Sequence, residues 1–284
     1  MKTEIVIILG PTAVGKSDFA VEYAIKNNGE IISADSRQVY KKLDIGTGKI
    51  TKEEMKGIPH YLLDIVDAKE QFNVDKWKTL AEKAIVDISN RGKLPIICGG
   101  TGFYIDALVN DISYPDIPHN EKLREELKDK DKKEILNILE KLDKDYVNRL
   151  NNSEKNNKQR LIRAIEIVQS KGKMQEIIHK KDNDKYDVTW IGLNCDIEIL
   201  KERIHNRLIK RIEKGMIEEV EDLYKQGLSW NRMEELGLEY RYISRYLRGM
   251  ITKEEMIKQL ELEINHYAKR QMVWFKRNKK IEWV

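Results

Sequence analysis

The stretch Gly10-Pro11-Thr12-Ala13-Val14-Gly15-Lys16-Ser17 decides the fold. It fits G-x-x-x-x-G-K-[ST], and its flanks supply the context that the pattern needs. Before it runs Ile5-Val6-Ile7-Ile8-Leu9, an apolar strand, and after it a helical pattern begins near Lys16. A buried strand delivers the chain to one edge of a sheet. Gly10 and Gly15 then let the backbone wrap so that N–H groups turn inward toward an anion. The helix N-terminus adds partial positive charge, Lys16 adds a full one, and the Ser17 hydroxyl can fill a Mg²⁺ ligand position. The eight residues together are expected to bind a di- or triphosphate. The loop alone does not say which compound carries it.

Outward from the loop, strands and helices alternate. Glu30-Ile31-Ile32-Ser33 reads as a second strand and Tyr61-Leu62-Leu63-Asp64-Ile65-Val66 as a third. Val74, Trp77, Leu80, Ala81, Ala84, Ile85 and Ile88 recur at helical spacing, with Gly92 where a C-cap belongs. Leu94-Pro95-Ile96-Ile97-Cys98 is a further buried strand, ending in Gly99-Gly100-Thr101-Gly102. This order predicts an α/β core of P-loop NTPase type, with a mostly parallel sheet between helices. From about Asn120 to Lys185, Lys, Asp, Glu and Asn dominate, while Leu123, Leu127, Ile135, Ile138, Leu139 and Leu142 keep helical spacing. The change of texture predicts an all-helical insertion domain over 119–185, movable against a core of 1–118 and 186–284. Asn151 to Asn157 and Lys180 to Asp184 are the expected hinges. The sheet resumes at Val188-Thr189-Trp190-Ile191-Gly192-Leu193. Asp196 then caps a helix through Glu213, and a second runs from Ile217 to Lys225. A long C-terminal helix starts near Thr252, where Thr252 and Glu255 form a capping-box pattern, and runs to about Asn278.

Composition narrows the class. The 284 residues are 40% hydrophobic and 35% charged, with a formal net charge of +4, so any nucleic-acid surface must be local. No run approaches the length of a membrane span. The start, Met1-Lys2-Thr3-Glu4 and then five apolar residues, is too short and too quickly polar for a signal peptide, and a cytoplasmic protein is expected. Cys98 and Cys195 lie in or beside apolar runs without C-x-x-C spacing, which predicts core residues and no zinc site.

In open α/β sheets, ligands sit at the carboxyl ends of strands. After the second strand comes Asp35-Ser36-Arg37-Gln38. Asp35 there serves as a general base, as a Walker-B-type ligand to a Mg²⁺-bound water, or as a cap; position leaves the first two evenly open and ranks the cap third. Asp64 reads as a strand-end or turn residue. Gly99 to Gly102 is a second glycine-rich turn opening a helix. Arg203, Arg207 and Arg211 lie four apart and share one helix face. Such a stripe is ordinarily solvated, yet a guanidinium fork suits phosphate better than lysine does. Gln159-Arg160-Leu161-Ile162-Arg163 sets Arg160 and Arg163 three apart on a helix, where pairing of Arg163 with Glu166 is the ordinary explanation. Between Ile264 and Ile281 stand six Lys or Arg and no acid, interleaved with His266, Tyr267, Trp274 and Phe275. Cations beside aromatic rings suit RNA, although Tyr267 and Trp274 are equally spaced for a core.

These residues, taken in order, resemble the successive motifs of the tRNA dimethylallyltransferases. The blocks are Gly10 to Ser17, Ile31 to Tyr40, Leu43 to Lys49, Pro59 to Asp67, Gly99 to Tyr104, Gln159 to Glu166, and Tyr267 to Gln271 with Trp274-Phe275. The resemblance implies transfer of a dimethylallyl group from dimethylallyl diphosphate to N6 of the adenosine just 3′ of the anticodon in tRNA. It implies that Lys16, Arg207 and the loop amides neutralise the departing diphosphate, with Mg²⁺ near Ser17. Asp35 would take the proton from the exocyclic amine, and Thr101 would sit where donor and acceptor meet. The adenosine would be flipped out of its stack. Asp35, Ser36, Arg37, Gln38, Thr101, Arg124 and the run Gln159, Arg160, Leu161, Ile162 and Arg163 would grip it and its neighbours. Lys269 and Arg270 would meet anticodon-stem phosphates. A monomer without an obligate protein partner is expected.

The chain departs from the usual family pattern in places. Leu236-Gly237-Leu238-Glu239-Tyr240-Arg241 stands for a Gly-Tyr-Lys-Glu run, Arg207-Leu208-Ile209-Lys210-Arg211 for Arg-Val-Asp-x-Met, and Ile264-Asn265 for Thr-Arg. None of these removes a group with a chemical role above. Three other functions remain open on the residues: an isopentenyltransferase acting on free adenine nucleotides, a P-loop small-molecule kinase, and a non-catalytic RNA-binding protein. A helical insertion and a basic tail are superfluous for the first two.

Overall fold

A computed structural model of the chain describes residues 2–114, 117–174, 179–180 and 185–284. The chain divides into two compact units, Met1–Leu108 with Asp184–Val284, and Val109–Asn183. The first unit begins with β1 (Thr3–Leu9), α1 (Lys16–Lys26), β2 (Gly29–Ser33), β3 (His60–Tyr61), α2 (Val74–Asn90), β4 (Leu94–Gly99) and α3 (Gly102–Val109). The second contains β5 (Ile112–Ser113), α4 (Glu121–Leu127), α5 (Lys132–Leu142), α6 (Lys144–Arg149), α7 (Asn152–Lys155), α8 (Lys158–Lys171) and β6 (His179–Lys180). The first unit resumes with β7 (Tyr186–Gly192), α9 (Ile197–Glu213), α10 (Met216–Lys225), α11 (Trp230–Leu236), α12 (Leu238–Leu247), α13 (Lys253–Phe275) and β8 (Glu282–Trp283). No described helix is long and apolar enough to cross a membrane.

Six strands pair in the order β3-β2-β4-β1-β7-β8, and every pairing is parallel. The central strand β1 is apolar without alternation because both of its faces are covered. Ile5 to Leu9 are at most 1% exposed. Register places the strand ends together: Leu9 pairs with Gly99 and with Gly192, and Ser33 pairs with Cys98. The loop from Gly10, the turn from Gly99 and the segment from Ala34 therefore leave the sheet along one edge.

In the first unit three details differ from the sequence reading. The third strand is two residues long rather than six. Leu62 and Asp64 take φ values of 63° and 55°, which end the extended run. Lys49 explains the turn: its Nζ donates to Asp64 Oδ1 at 2.5 Å, Asp44 Oδ1 at 2.6 Å and Tyr40 O at 2.9 Å. The last helix ends at Phe275, and residues 276–278 continue as tighter turns, with Asn278 N donating to Phe275 O at 3.0 Å. Cys98 and Cys195 are half-buried free thiols rather than full core residues.

The second unit is helical apart from a two-residue antiparallel ladder, in which Ile112 pairs with Lys180 and Ser113 with His179. Its core gathers Leu123, Leu127, Ile135, Leu139, Leu161 and Ile165. Asn151 to Asn157 form no open linker. Asn151 and Glu154 make a reciprocal capping box on α7, and Asn157 caps α8. Of the second expected hinge, residues 181–184 lie outside the described residues.

Glu166 anchors this unit electrostatically. Its side chain is 1% exposed and accepts from Arg124 Nε at 2.6 Å, Arg163 Nη1 at 2.9 Å and Asn120 N at 3.0 Å. Burial alone raises its carboxyl, but the hydrogen bonds from Arg124, Arg163 and the Asn120 amide outweigh it and hold it at about 2, against an ordinary 4.5. A depressed carboxyl contributes stability that is present above pH 4.5 and lost as the pH falls toward 2. Glu166→Gln is expected to cost about 1–3 kcal/mol, because two half-buried arginines lose their counter-charge while Arg163 keeps its bond to Ile117 O. Urea unfolding at several pH values checks this; the variant should also lose the acid dependence between pH 4.5 and 2 that this group confers.

Candidate active site

Helix α1 opens without a side-chain cap. Its N-cap is Gly15, at φ 101°, and no side chain bonds the first-turn amides. Ala13 takes φ 66°, an uncommon conformation for a residue with a Cβ. Uncapped amides at a helix N-terminus attract an anion, and the loop wraps to aim more of them the same way. Lys16 folds back along the loop, with Nζ donating to Pro11 O at 2.7 Å. Its ammonium is lowered from 10.5 to about 8, chiefly by burial and further by Arg207, with Asp35 working in the opposite sense. Ser17 is exposed at the mouth of the loop.

The arginine stripe of α9 is not wholly solvated: the exposed Arg203 and the half-buried Arg207 reach this loop, and the half-buried Arg211 reaches the Gly46 turn. Arg203 Nη1 donates to Val14 O at 3.2 Å, Arg207 Nη2 donates to Thr12 Oγ1, and Arg211 Nη1 reaches Gly46 O and Glu239 Oε1, each at 3.4 Å. Burial and the neighbouring Arg211 lower the Arg207 guanidinium to about 9. Burial pushes the Glu239 carboxyl up, against the pull of Arg211. Cations with depressed ionisation, crowded around uncapped amides, form a site poised for a multiply charged anion.

Asp35 stands at the end of β2. Its Oδ1 accepts from Arg37 N at 2.7 Å and Gln38 N at 3.2 Å, so it does cap the following turn. The cap uses one oxygen of two. The neighbouring Ser36 amide donates to Thr101 Oγ1 at 3.2 Å, and the Thr101 amide donates to Ala34 O at 3.1 Å. Asp35 and Thr101 are thus bolted side by side at the ends of β2 and β4. Gln38 Nε2 donates to Thr47 O at 3.4 Å and Gly48 O at 3.3 Å, and Arg37 Nη2 to Glu235 O at 3.3 Å. The loop that receives Gln38 is itself clasped. Glu219 accepts from the amides of Asp44, Ile45 and Gly46 at 2.6–3.0 Å and from Tyr240 OH at 2.9 Å.

Helix α13 contributes Gln271, which sequence reasoning did not single out individually, together with Tyr267 and Trp274, which it did. Gln271, 6% exposed, accepts from Thr12 N at 2.8 Å and donates to Gly100 O at 2.9 Å. Tyr267 bonds Thr101, and Trp274 Nε1 donates to Asp106 Oδ2 at 2.8 Å. A signal for Gln271 was present: it is the polar member of an apolar stripe that includes Leu260, Ile264, Ala268 and Phe275. Lys269 and Arg270 are exposed on the same helix, and Arg270 lies 6.0 Å from the centre of the Tyr267 ring.

In the second unit the expected contacts separate into three kinds. Gln159 and Arg160 are exposed, with Arg160 paired to Glu154 at 3.0 Å. Leu161 and Ile162 are 1% and 4% exposed, so their side chains build the core rather than a surface. Arg124 and Arg163 are held by Glu166, as the ordinary explanation for Arg163 required.

A sequence model of the IPP transferase family matches residues 38–278. The chain belongs to that family. It is 42% identical, over its whole length and 90% of the relative's, to a tRNA dimethylallyltransferase of Anoxybacillus flavithermus. It is 45% identical, over 98% of its length and 95% of the relative's, to tRNA dimethylallyltransferase 2 of Treponema denticola. The structure superposes on the full-length tRNA isopentenylpyrophosphate transferase of Bacillus halodurans with a TM-score of 0.74 at 36% identity, covering 100% of this chain and 90% of the other. A eukaryotic dimethylallyltransferase acting on tRNA gives a TM-score of 0.81 at 29% identity, covering 100% of this chain and 74% of that one.

The depressed Lys16 gives this family member a testable pH response. A bound diphosphate favours the protonated amine, so Lys16 contributes a fall in affinity above pH 8, by up to about tenfold per pH unit, once the ionisation of the ligand itself is subtracted. Calorimetry with inorganic pyrophosphate should show proton uptake in the same range, and Lys16→Arg should move the break upward.

Proposed function

We propose that this protein transfers the dimethylallyl group of dimethylallyl diphosphate to N6 of the adenosine 3′-adjacent to the anticodon of tRNA, releasing diphosphate. The observation that carries the reading is the juxtaposition of Asp35 and Thr101 with a cationic amide cradle. Ser36 N bonds Thr101 Oγ1 on the acceptor side, Arg207 bonds Thr12 on the donor side, and the Gln271 amide joins Thr12 to Gly100 between them. Relatives named for tRNA across nearly the full length support the choice of acceptor.

The chemistry assigns each group a task. The N6 lone pair attacks C1 of the dimethylallyl group while the C1–O bond breaks, and its electron pair leaves with the diphosphate. Lys16, Arg207 and the amides of the loop from Gly10 to Ser17 stabilise the charge that grows there. The free oxygen of Asp35 takes the N6 proton, which an exocyclic amine does not surrender unaided. Thr101 orients the acceptor. Mg²⁺, when bound, would neutralise diphosphate charge; Ser17 Oγ and the diphosphate's own oxygens would hold it. The described residues offer no cluster of three or more His, Cys, Asp or Glu for a cage of carboxylates, which suits an ion held chiefly by its substrate.

The target base must leave its stack to reach Asp35. Ser36, Arg37 and Gln38 would grip it, Gln159 and Arg160 would meet neighbouring nucleotides, and Lys269 and Arg270 would hold anticodon-stem phosphates. Arg124 and Arg163, already committed to Glu166, would shape that surface, while Leu161 and Ile162 support it from the core beneath. The protein would work in the cytoplasm as a monomer. Incubation with labelled dimethylallyl diphosphate and either unmodified tRNA or AMP tests the reading. Label in a tRNA nucleoside is the expected result; label in AMP alone would make the protein a free-nucleotide isopentenyltransferase.

A further inference from the structure

We propose that Gln271 is a positioning residue that fixes the distance between the donor cradle and the acceptor turn. The inference rests on the prenyl-transfer reading. Thr12 and Gly100 each lie beyond the end of a strand, on two different glycine-rich segments. One buried amide joins them, with its oxygen on Thr12 N at 2.8 Å and its nitrogen on Gly100 O at 2.9 Å. Only a side chain carrying both an acceptor and a donor at this length can do so. The approach is built from both sides. A Cβ at residue 100 would fall on the Gln271 amide nitrogen, so glycine there is what admits the contact.

The bridge has two consequences for the chemistry. With its amide spent on Gln271, Thr12 offers the diphosphate no N–H, and the cradle of amides begins at Ala13. The Thr12 side chain meanwhile receives Arg207 Nη2. Gln271 therefore sets the orientation of the residue on which the arginine rests. On the acceptor side, Tyr267 and Trp274 flank Gln271 on the same helix face and bond Thr101 and Asp106. One face of α13 thus sets both partners of the reaction, while Lys269 and Arg270 of the same helix stay exposed.

The test compares Gln271→Met, which keeps the volume and loses both bonds, with Gln271→Glu, which keeps the acceptor for Thr12 N and loses the donor to Gly100 O. Wild-type transfer to tRNA is the control; if the wild type fails, the functional reading fails, not this inference. Given wild-type transfer, folded Gln271→Met should lose about 10- to 100-fold in kcat/KM for dimethylallyl diphosphate, as two buried polar groups are left unpaired. Its inhibition by inorganic pyrophosphate should weaken, and its affinity for tRNA should stay within about twofold of wild type. Wild-type kinetics in folded Gln271→Met would overturn the proposal, because packing alone would then suffice. If that variant melts below the assay temperature, Gln271→Glu decides. A loss in pyrophosphate affinity that exceeds its loss in tRNA affinity and persists at high salt supports positioning; equal losses, or a loss that high salt removes as simple charge repulsion, overturn it.

Discussion

Asp35→Asn is expected to slow prenyl transfer by about 10²–10⁴-fold while leaving the site intact. The reason lies in the division of labour between the two carboxylate oxygens. Oδ1 caps the turn by accepting from Arg37 N and Gln38 N. An asparagine keeps an oxygen for that cap but cannot take a proton at any accessible pH. Single-turnover transfer with saturating tRNA separates the two roles. Affinity for tRNA and for pyrophosphate should be close to wild type, so the loss should appear in the chemical step. A near-normal rate in Asp35→Asn would make Asp35 a capping residue only. Asp35→Ala removes both functions and should additionally loosen the turn that presents Ser36 and Gln38.

Arg207→Met is expected to lower kcat by about 10²–10³-fold. The guanidinium is buried beside Lys16 and Arg211, and its lowered ionisation records the repulsion and desolvation it endures before an anion arrives. Diphosphate relieves that repulsion, and more so as the leaving group gains charge, so the interaction is stronger in the transition state than in the ground state. Arg207→Lys should recover little of the loss, since a point charge cannot replace a planar fork resting on Thr12. A second readout follows. Arg207 contributes to the lowering of Lys16, so in Arg207→Met the pH break in pyrophosphate affinity should move upward from about 8. Calorimetry across that range checks it; an unmoved break would show that burial alone holds Lys16 down.

Much of this site was legible from local pattern. The strand, loop and helix around Gly10 to Ser17 needed only apolar runs, two glycines and a lysine. The second turn at Gly99 and the aspartate after β2 followed from the rule that strand ends carry ligands. The arginine stripe was visible by its spacing, but its direction was not. Whether Arg203, Arg207 and Arg211 face water or a loop depends on how α9 packs, and nothing local encodes that. The same limit explains the third strand. Tyr61 to Val66 is apolar enough to be extended, and the turn comes from Lys49, twelve residues upstream of Tyr61, reaching Asp64. Gln271 was a polar residue in an apolar stripe, a local anomaly whose partners lie 171 and 259 residues away. Leu161 and Ile162 show the converse: a motif block marks a segment, while burial decides which of its side chains meet a partner.

The sheet order also governs how the protein can be synthesised. β1 receives β4 on one side within the first hundred residues, but its other side waits for β7, beyond the whole second unit. At ribosomal speeds that interval lasts on the order of ten seconds. During it the most apolar strand of the protein presents an unpaired edge, the geometry that invites pairing with another nascent chain. The second unit therefore acts as a delay line in biogenesis, and the time taken to translate it sets the least time for which that edge stays open.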